Sequence, residues 1–242
     1  MPADAPTILA TSGGLKDGQR IRWEFSALTD HAVELAGVNA RPPRVCFLAT
    51  AQGDNPAVLF NLYSAAQQRG FQASHVSVVP MPNVEDIEAH LLDQDVIWVC
   101  GGSVAALLAL WRLHELDVAM TMAWQAGVVL TGVSAGSICW HTGGTTDSYG
   151  PALRPVIDGI GLIPFSNGVH HDSEPTRRPL LHRLIAGGTL PAGYATDDGV
   201  GCLYRGTSFL GAVAENRTGG AYFVSADDDR QVTETALDVT RL

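Results

Sequence analysis

Short apolar runs recur along the first 131 residues, and stretches with helical periodicity separate them. Thr7–Thr11 (TILAT), Arg44–Ala49 (RVCFLA), Ala73–Val79, Val96–Cys100 (VIWVC) and Gly127–Thr131 (GVVLT) have the length and composition of strands buried on both faces. The intervening periodicity predicts helices over Glu24–Ala36, Pro56–Arg69, Val84–Leu92 and Val104–Leu113. Strands that alternate with helices at this spacing predict an α/β fold with a mostly parallel sheet and helices on both of its faces. Past Gly143 the pattern changes to Gly- and Pro-rich turns with shorter strands at Gly201–Tyr204, Phe209–Ala214 and Ala221–Val224. One Arg-containing helix, near Pro175–Ala186, interrupts them. No repeat, low-complexity tract or linker divides the 242 residues, so one domain over residues 1–242 is expected.

Composition removes several function classes. Apolar residues make up 46% and charged residues 17% of the chain, which excludes a disordered polymer. Fifteen basic against twenty-five acidic side chains leave a net charge of −10, and every basic residue except Lys16 is Arg. Without a basic run, such a chain is a poor ligand for phosphate backbones, so no nucleic-acid partner is expected. A local Arg can still receive a small anion. No segment approaches the ~20 continuous apolar residues of a membrane span. The opening MPADAPTILATSGG lacks the basic start and apolar core of a signal peptide. Cys46, Cys100, Cys139 and Cys202 form no Cys-x-x-Cys pair, and three of them sit in apolar runs, so buried free thiols in the reducing cytoplasm are expected.

The segment that carries chemistry is Gly127–Trp140, GVVLTGVSAGSICW. A buried strand runs into Gly132-Val133-Ser134-Ala135-Gly136 and on into a stretch able to form a helix. This is the Gly-x-Ser-x-Gly pattern in its demanding context, a tight strand-to-helix turn with small residues around a central Ser. Ser134 would be pushed out above the sheet edge, where exposed amides and the following helix favour the negative charge of an attacked acyl group. The alternative is an ordinary tight turn, which arises by chance often.

A serine nucleophile needs a base. His31, His75, His90, His114 and His182 fall within or beside regular periodicity, as surface or packing residues would. His141 lies on the far side of the expected helix after Ser134. That leaves His170-His171, in a loop after the strand-like Gly161–Phe165. The pair invites a metal reading too, but adjacent side chains diverge and no further His-rich spacing completes a zinc set, so no metal is expected. The acid that would orient the base is open among Asp147, Asp172, Asp197 and Asp198. A second glycine cluster, Gly101-Gly102-Ser103 after Val96–Cys100, lets backbone amides approach a ligand, and Ser12-Gly13-Gly14 invites the same reading. Neither ends in the Lys-Ser/Thr of a phosphate loop.

Taken together, GVSAGSICW, the upstream VCGGSVAALLALWR and the downstream HHDSEPTRR and YATDDGVG resemble the peptidase E family over nearly the whole chain. The resemblance implies a flavodoxin-like fold of the class I glutamine amidotransferase type, with a nucleophile elbow. It also implies a serine peptidase that cleaves short peptides, typically dipeptides with N-terminal Asp, through an acyl-enzyme and without a cofactor. The related amidotransferases carry Cys at the elbow, where this chain has Ser134. By resemblance Ser134 is the nucleophile, His170 the general base, and Asp198, or else Asp147, the third member. Gly102 and Ala135 would supply the oxyanion amides, and Arg177 or Arg178 would receive the substrate carboxylate. Ser103-Val104-Ala105 stands where relatives often have an Asn-Thr type sequence. Two rival readings are an esterase of the α/β-hydrolase type and a non-catalytic binding protein on the same fold. The sequence leaves a homodimer open.

Overall fold

The structure, a computed structural model, describes residues 3–242. β1 (Thr7–Thr11) is followed by a hairpin, β2 (Leu15–Asp17) and β3 (Trp23–Phe25), and by α1 (Ala27–Leu35). Then come β4 (Arg44–Leu48), a 3-10 turn at Thr50–Gln52, α2 (Pro56–Arg69), β5 (Gln72–His75), α3 (Ile87–Leu92) and β6 (Val96–Val99). Next are α4 (Val104–Leu113), α5 (Leu116–Gln125), β7 (Val129–Val133), α6 (Ala135–Ile138), β8 (His141–Thr146) and β9 (Arg154–Val156). The rest is β10 (Ile163–Gly168), α7 (Arg177–Ala186), β11 (Gly193–Thr196), β12 (Val200–Arg205), β13 (Ser208–Ala214), β14 (Ala221–Ala226), β15 (Val232–Leu237) and β16 (Val239–Arg241).

The apolar runs build an eight-stranded sheet in the order β16-β13-β12-β1-β7-β6-β4-β5. Its strands from β1 to β5 are parallel, and β12 alone runs against the rest. Alternation along each run supplies both faces. Val45, Phe47, Val96, Trp98 and Val129 pack with Phe25 and the α2 residues Leu62, Ala65 and Ala66. Cys46, Leu48, Ile97, Val99 and Leu130 point the other way, onto Leu107 and Trp111 of α4 and Leu116 and Met120 of α5. The fold is therefore the flavodoxin-like α/β arrangement implied by the resemblance.

The last third of the chain departs from expectation. β8, β9, β10, β11, β14 and β15 form a second, six-stranded sheet. It covers the antiparallel end of the first sheet on one face, where a helix was expected. Tyr194 of β11 stacks on Phe209 of β13 with ring centroids 4.3 Å apart, and Tyr204 of β12 lies edge-on at 5.7 Å from Tyr194. One buried cluster runs through both sheets, from Ile8 and Val99 to Trp140, Ile163 and Tyr204.

Smaller departures have local causes. The run Ala73–Val79 is a strand only as far as His75, because the Asp54 carboxylate takes the Val78 and Val79 amides at 2.6 and 3.0 Å. The helix expected from Glu24 starts at Ala27, since Trp23–Phe25 pairs with β2 instead. α3 begins at Ile87 because Asp86 caps it through the Ala89 amide. No helix is long and apolar enough to cross a membrane among the described residues. All four cysteines are free and buried, and burial pushes the thiols of Cys46, Cys100 and Cys202 up to about 12.

His141 opens β8 rather than continuing a helix, because α6 is a single turn. The buried imidazole donates from Nδ1 to the Ser137 carbonyl at 2.9 Å and accepts at Nε2 from the Tyr204 hydroxyl at 3.2 Å. Burial pushes its pKa from 6.5 down to about 4, against the opposing pull of the Ser137 carbonyl. A native pKa below the unfolded one favours the unfolded, protonated state as pH falls. The neutral ring is therefore fully tolerated above pH 6.5, and stability drops between there and about pH 4 by a maximum of about 3 kcal/mol. Urea titrations of the wild type and His141→Gln across this range should show a shallower pH dependence in the variant. Parallel curves would mean that other groups govern acid unfolding.

Candidate active site

Parallel strands bring their carboxyl ends to one edge, and the loops after β1, β6 and β7 meet there. Ser134 is the first residue beyond β7. Its backbone is held at φ 56°, ψ −108°, a left-sided conformation that costs a non-glycine residue on the order of 1–3 kcal/mol. Its amide donates to the Thr11 carbonyl of β1 at 3.0 Å, which locks the turn to the neighbouring strand. The flanking glycines are required by contact. A Cβ on Gly132 would lie 2.6 Å from both the Gly136 and Val99 carbonyl oxygens, and one on Gly136 would lie 2.3 Å from the Val99 oxygen. α6 has only four residues, so the local amides rather than a long helix dipole dominate here. Cys139 is buried just beyond it, and burial pushes its thiol well up.

Ser134 stands between two depressions. One, of about 340 Å³, is lined by Gly102, Ser103, Ser134, Asp147, Ser148, Glu174 and Arg177. The other, of about 420 Å³, includes Val133, which precedes Ser134, together with Ser12, Gly13, His170, Asp198, Glu215 and Asn216. Gly102 adopts φ +136°, and a Cβ there would be 2.4 Å from the Ala51 carbonyl, so only glycine fits. The Gly102 and Ala135 amides meet no backbone acceptor among the described residues.

His170 Nδ1 lies 2.5 Å from Asp198 Oδ1. With Nδ1 bonded to the carboxylate, the assigned proton sits there and Nε2 is left to act as a base. His170 has a positive φ of 54°, held by a 3.3 Å bond from its amide to Ser12 Oγ, which is itself 2.7 Å from Thr196 Oγ1. The other candidate acids have different partners. Asp172 caps the turn by accepting the Asp198 amide at 2.9 Å. Asp197 is buried and accepts the Gly220 amide at 2.8 Å and the Tyr222 hydroxyl at 3.3 Å, and burial raises its carboxyl above the usual range. Asp147 is exposed and shares the first depression with Ser134 rather than a hydrogen bond with His170.

The two arginines separate. Arg177 is 4% exposed; its Nε and Nη2 fork onto Glu174 at 2.7 and 3.2 Å, and Nη1 donates to the Thr145 carbonyl at 2.7 Å. Arg178 does not line the depression beside Ser134. It pairs with Glu234 and lies over the Tyr222 ring, because consecutive residues in the first turn of α7 face different ways.

Glu234 of β15 also receives His171 Nε2 at 3.0 Å and His182 Nε2 at 2.6 Å. Burial works to raise the Glu234 carboxyl, but these bonds, with Arg178 beside them, hold it below its ordinary value. His171, without His170, thus joins His182 and Glu234, the ligand atoms of the three lying within 4.8 Å of one another. Arg178 already neutralises the carboxylate, and His171 Nδ1, buried, has no partner to orient the ring as a metal ligand requires. The cluster is a tie between α7 and the second sheet. Glu215 and Glu234 carry no sequence signal, because their partners are distant in the chain: the Gly14 and Leu28 amides and the Ser26 hydroxyl for Glu215, and His171, His182 and Arg178 for Glu234.

Comparison with known proteins gives the family and the fold. The profile of peptidase family S51 matches residues 8–210. The chain is 36% identical over 200 residues to the uncharacterized peptidase YgaJ of Bacillus subtilis (strain 168), covering 83% of this chain and 85% of that protein. Among solved structures, a peptidase from an acI-B1 Actinobacterium superposes with a TM-score of 0.65 at 16% identity, covering 96% of this chain and 95% of the other. A protein provisionally named peptidase E from Listeria monocytogenes EGD-e superposes with a TM-score of 0.59 at 17% identity, covering 85% and 97%. These likenesses share the fold, and the profile match settles the family: the chain belongs to peptidase family S51, a family of serine peptidases.

Proposed function

We propose that the chain hydrolyses short peptides through a Ser134–His170–Asp198 triad and an acyl-enzyme. The observation that carries the reading is the strained Ser134 backbone at the sheet edge, flanked by the aspartate-paired His170 in one depression and by the Gly102 amide in the other. His170 Nε2 takes the hydroxyl proton as Ser134 Oγ adds to the peptide carbonyl. The oxyanion then accepts hydrogen bonds from the Gly102 and Ala135 amides. The imidazolium, stabilised by Asp198, returns the proton to the leaving amine as the C–N bond breaks. An ester to Ser134 remains. Water, deprotonated by His170, hydrolyses it and releases the first residue.

No step in this sequence calls for a metal or cofactor. The small depressions suit a short peptide better than an extended chain. The reading treats the chain as one domain, for which the buried cluster joining both sheets is the support. Resemblance to aspartyl dipeptidases makes peptides with N-terminal Asp the first substrates to try. Arg177 is the guanidinium beside Ser134 that would have to receive their side-chain carboxylate.

Two variants test the roles. Ser134→Ala should lower kcat by about ten-thousand-fold and abolish labelling by a fluorophosphonate probe. Asp198→Asn should lower kcat by about a hundred- to ten-thousand-fold with little change in KM, because it disturbs the base rather than binding. Wild-type kcat in Asp198→Asn would remove Asp198 from the triad. Unreduced labelling of Ser134→Ala would remove the nucleophile itself.

A further inference from the structure

The depression beside Ser134 is short of positive charge. Asp147, Glu174 and Arg177 are its only ionised lining residues, so it carries one negative charge in excess. The one cation is spoken for. Arg177 is almost completely buried, and its guanidinium is forked by Glu174 and held by the Thr145 carbonyl. Glu174 belongs to the same short segment, three residues before Arg177, and its own amide donates to the His170 carbonyl at 3.2 Å. A tethered carboxylate of this kind competes with any substrate carboxylate at an effective concentration of order millimolar or above. An incoming acidic side chain must therefore displace Glu174, and it meets Asp147 as well. An ammonium group meets the reverse situation, because the exposed Asp147 carboxylate has no ion-pair partner among the described residues.

We propose that this site selects peptides whose first residue has an uncharged or cationic side chain, with Asp147 receiving the N-terminal ammonium and Glu174 withholding Arg177 from the substrate. The proposal rests on the peptidase reading above and specifies its substrate class. The charge balance, rather than the presence of an arginine, decides the preference: a buried guanidinium already neutralised by a neighbour contributes no net field for an anion. Glu174 and Asp147 are thus specificity-determining residues of the reaction.

The test is the ratio of kcat/KM among Leu-, Lys-, Asp- and N-acetyl-Leu-p-nitroanilide, in the wild type, Glu174→Gln and Asp147→Asn, with Ser134→Ala as the blank. In the wild type, Leu and Lys substrates should exceed the Asp substrate by at least about tenfold, and N-acetylation should cost at least about tenfold. Glu174→Gln keeps a hydrogen-bond acceptor for Arg177 but removes the competing charge, so the Asp-to-Leu ratio should rise by about tenfold or more. Asp147→Asn should narrow the gap between free and acetylated substrates. Asp preferred in the wild type, or an Asp-to-Leu ratio unmoved by Glu174→Gln, overturns the inference while leaving Ser134-dependent hydrolysis intact. Absence of Ser134-dependent turnover on every substrate, with no fluorophosphonate labelling, overturns the peptidase reading and this inference with it.

Discussion

Three backbone segments meet closer than side chains would permit at the end of β7, and the geometry of the site depends on that contact. The Val99 carbonyl of β6 lies where a Cβ on Gly132 or Gly136 would have to go, and the Ser134 amide is bonded to Thr11 of β1. The chain can reverse from strand into α6 only by passing through this gap, and the residue at the tip is thereby held in a conformation that L side chains avoid. The strain persists because contacts on both neighbouring strands over-determine it. Burial of Leu130 and Val129 on opposite faces of the same strand anchors the turn from behind. A rigid scaffold thus presents one hydroxyl at a fixed place, which is the condition for placing a reacting group to within fractions of an ångström.

His170 reaches the same edge by a different route. It follows β10 of the second sheet, yet its backbone is tied to Ser12 of the first sheet and, through that hydroxyl, to Thr196 at the end of β11. The Asp198 loop is tied in turn by Asn216 and Asp172. His170 and Ser134 therefore follow strands of different sheets, and small hydroxyl bridges tie the His170 loop to the first sheet. The aromatic stack of Tyr194 on Phe209 supplies the apolar part of the same junction. Deleting one methyl-sized contact there would be felt at the site, since close-packed interiors transmit displacement instead of absorbing it.

The parts of the fold that the sequence discloses are those encoded by one segment at a time. Val96–Val99 and Gly127–Val133 read as strands because their own residues are apolar, and the elbow reads because Gly132 and Gly136 stand in a fixed local pattern around Ser134. Of the second sheet, the sequence shows single strands near Gly161–Phe165 and Ala221–Val224 but not that they join in a separate sheet. Polar residues and glycines interrupt the apolar pattern in β8 (HTGGTT) and β10 (IPFSNG), and β15, with the burial alternation of a half-exposed edge, joins only because β14 pairs with it. α5 carries little signal of its own for a related reason: Leu116, Met120 and Trp124 are spaced correctly, but a left-handed Glu115 separates them from α4 by a turn that no proline or glycine marks. At the site, residue-level reading left four acids open because Asp172, Asp197 and Asp198 lie within one loop pair and differ only in which way each turns.

Arginine shows the same limit from the side of charge. Two adjacent residues, Arg177 and Arg178, look equivalent as letters, and resemblance alone offers both as anion receptors. Folding sends one beneath Glu174 beside Ser134 and the other to Glu234 beside two imidazoles. Each guanidinium arrives with its own carboxylate, so neither lends the surface a free positive charge. Elsewhere too folding consumes cations in structural pairs, such as Arg41 with Asp95 and Arg69 with Asp30. Beside Ser134, the charge left over after internal pairing is therefore the exposed carboxylate of Asp147. A motif identifies which groups a site contains, but its field is set by which of those groups the fold has already matched.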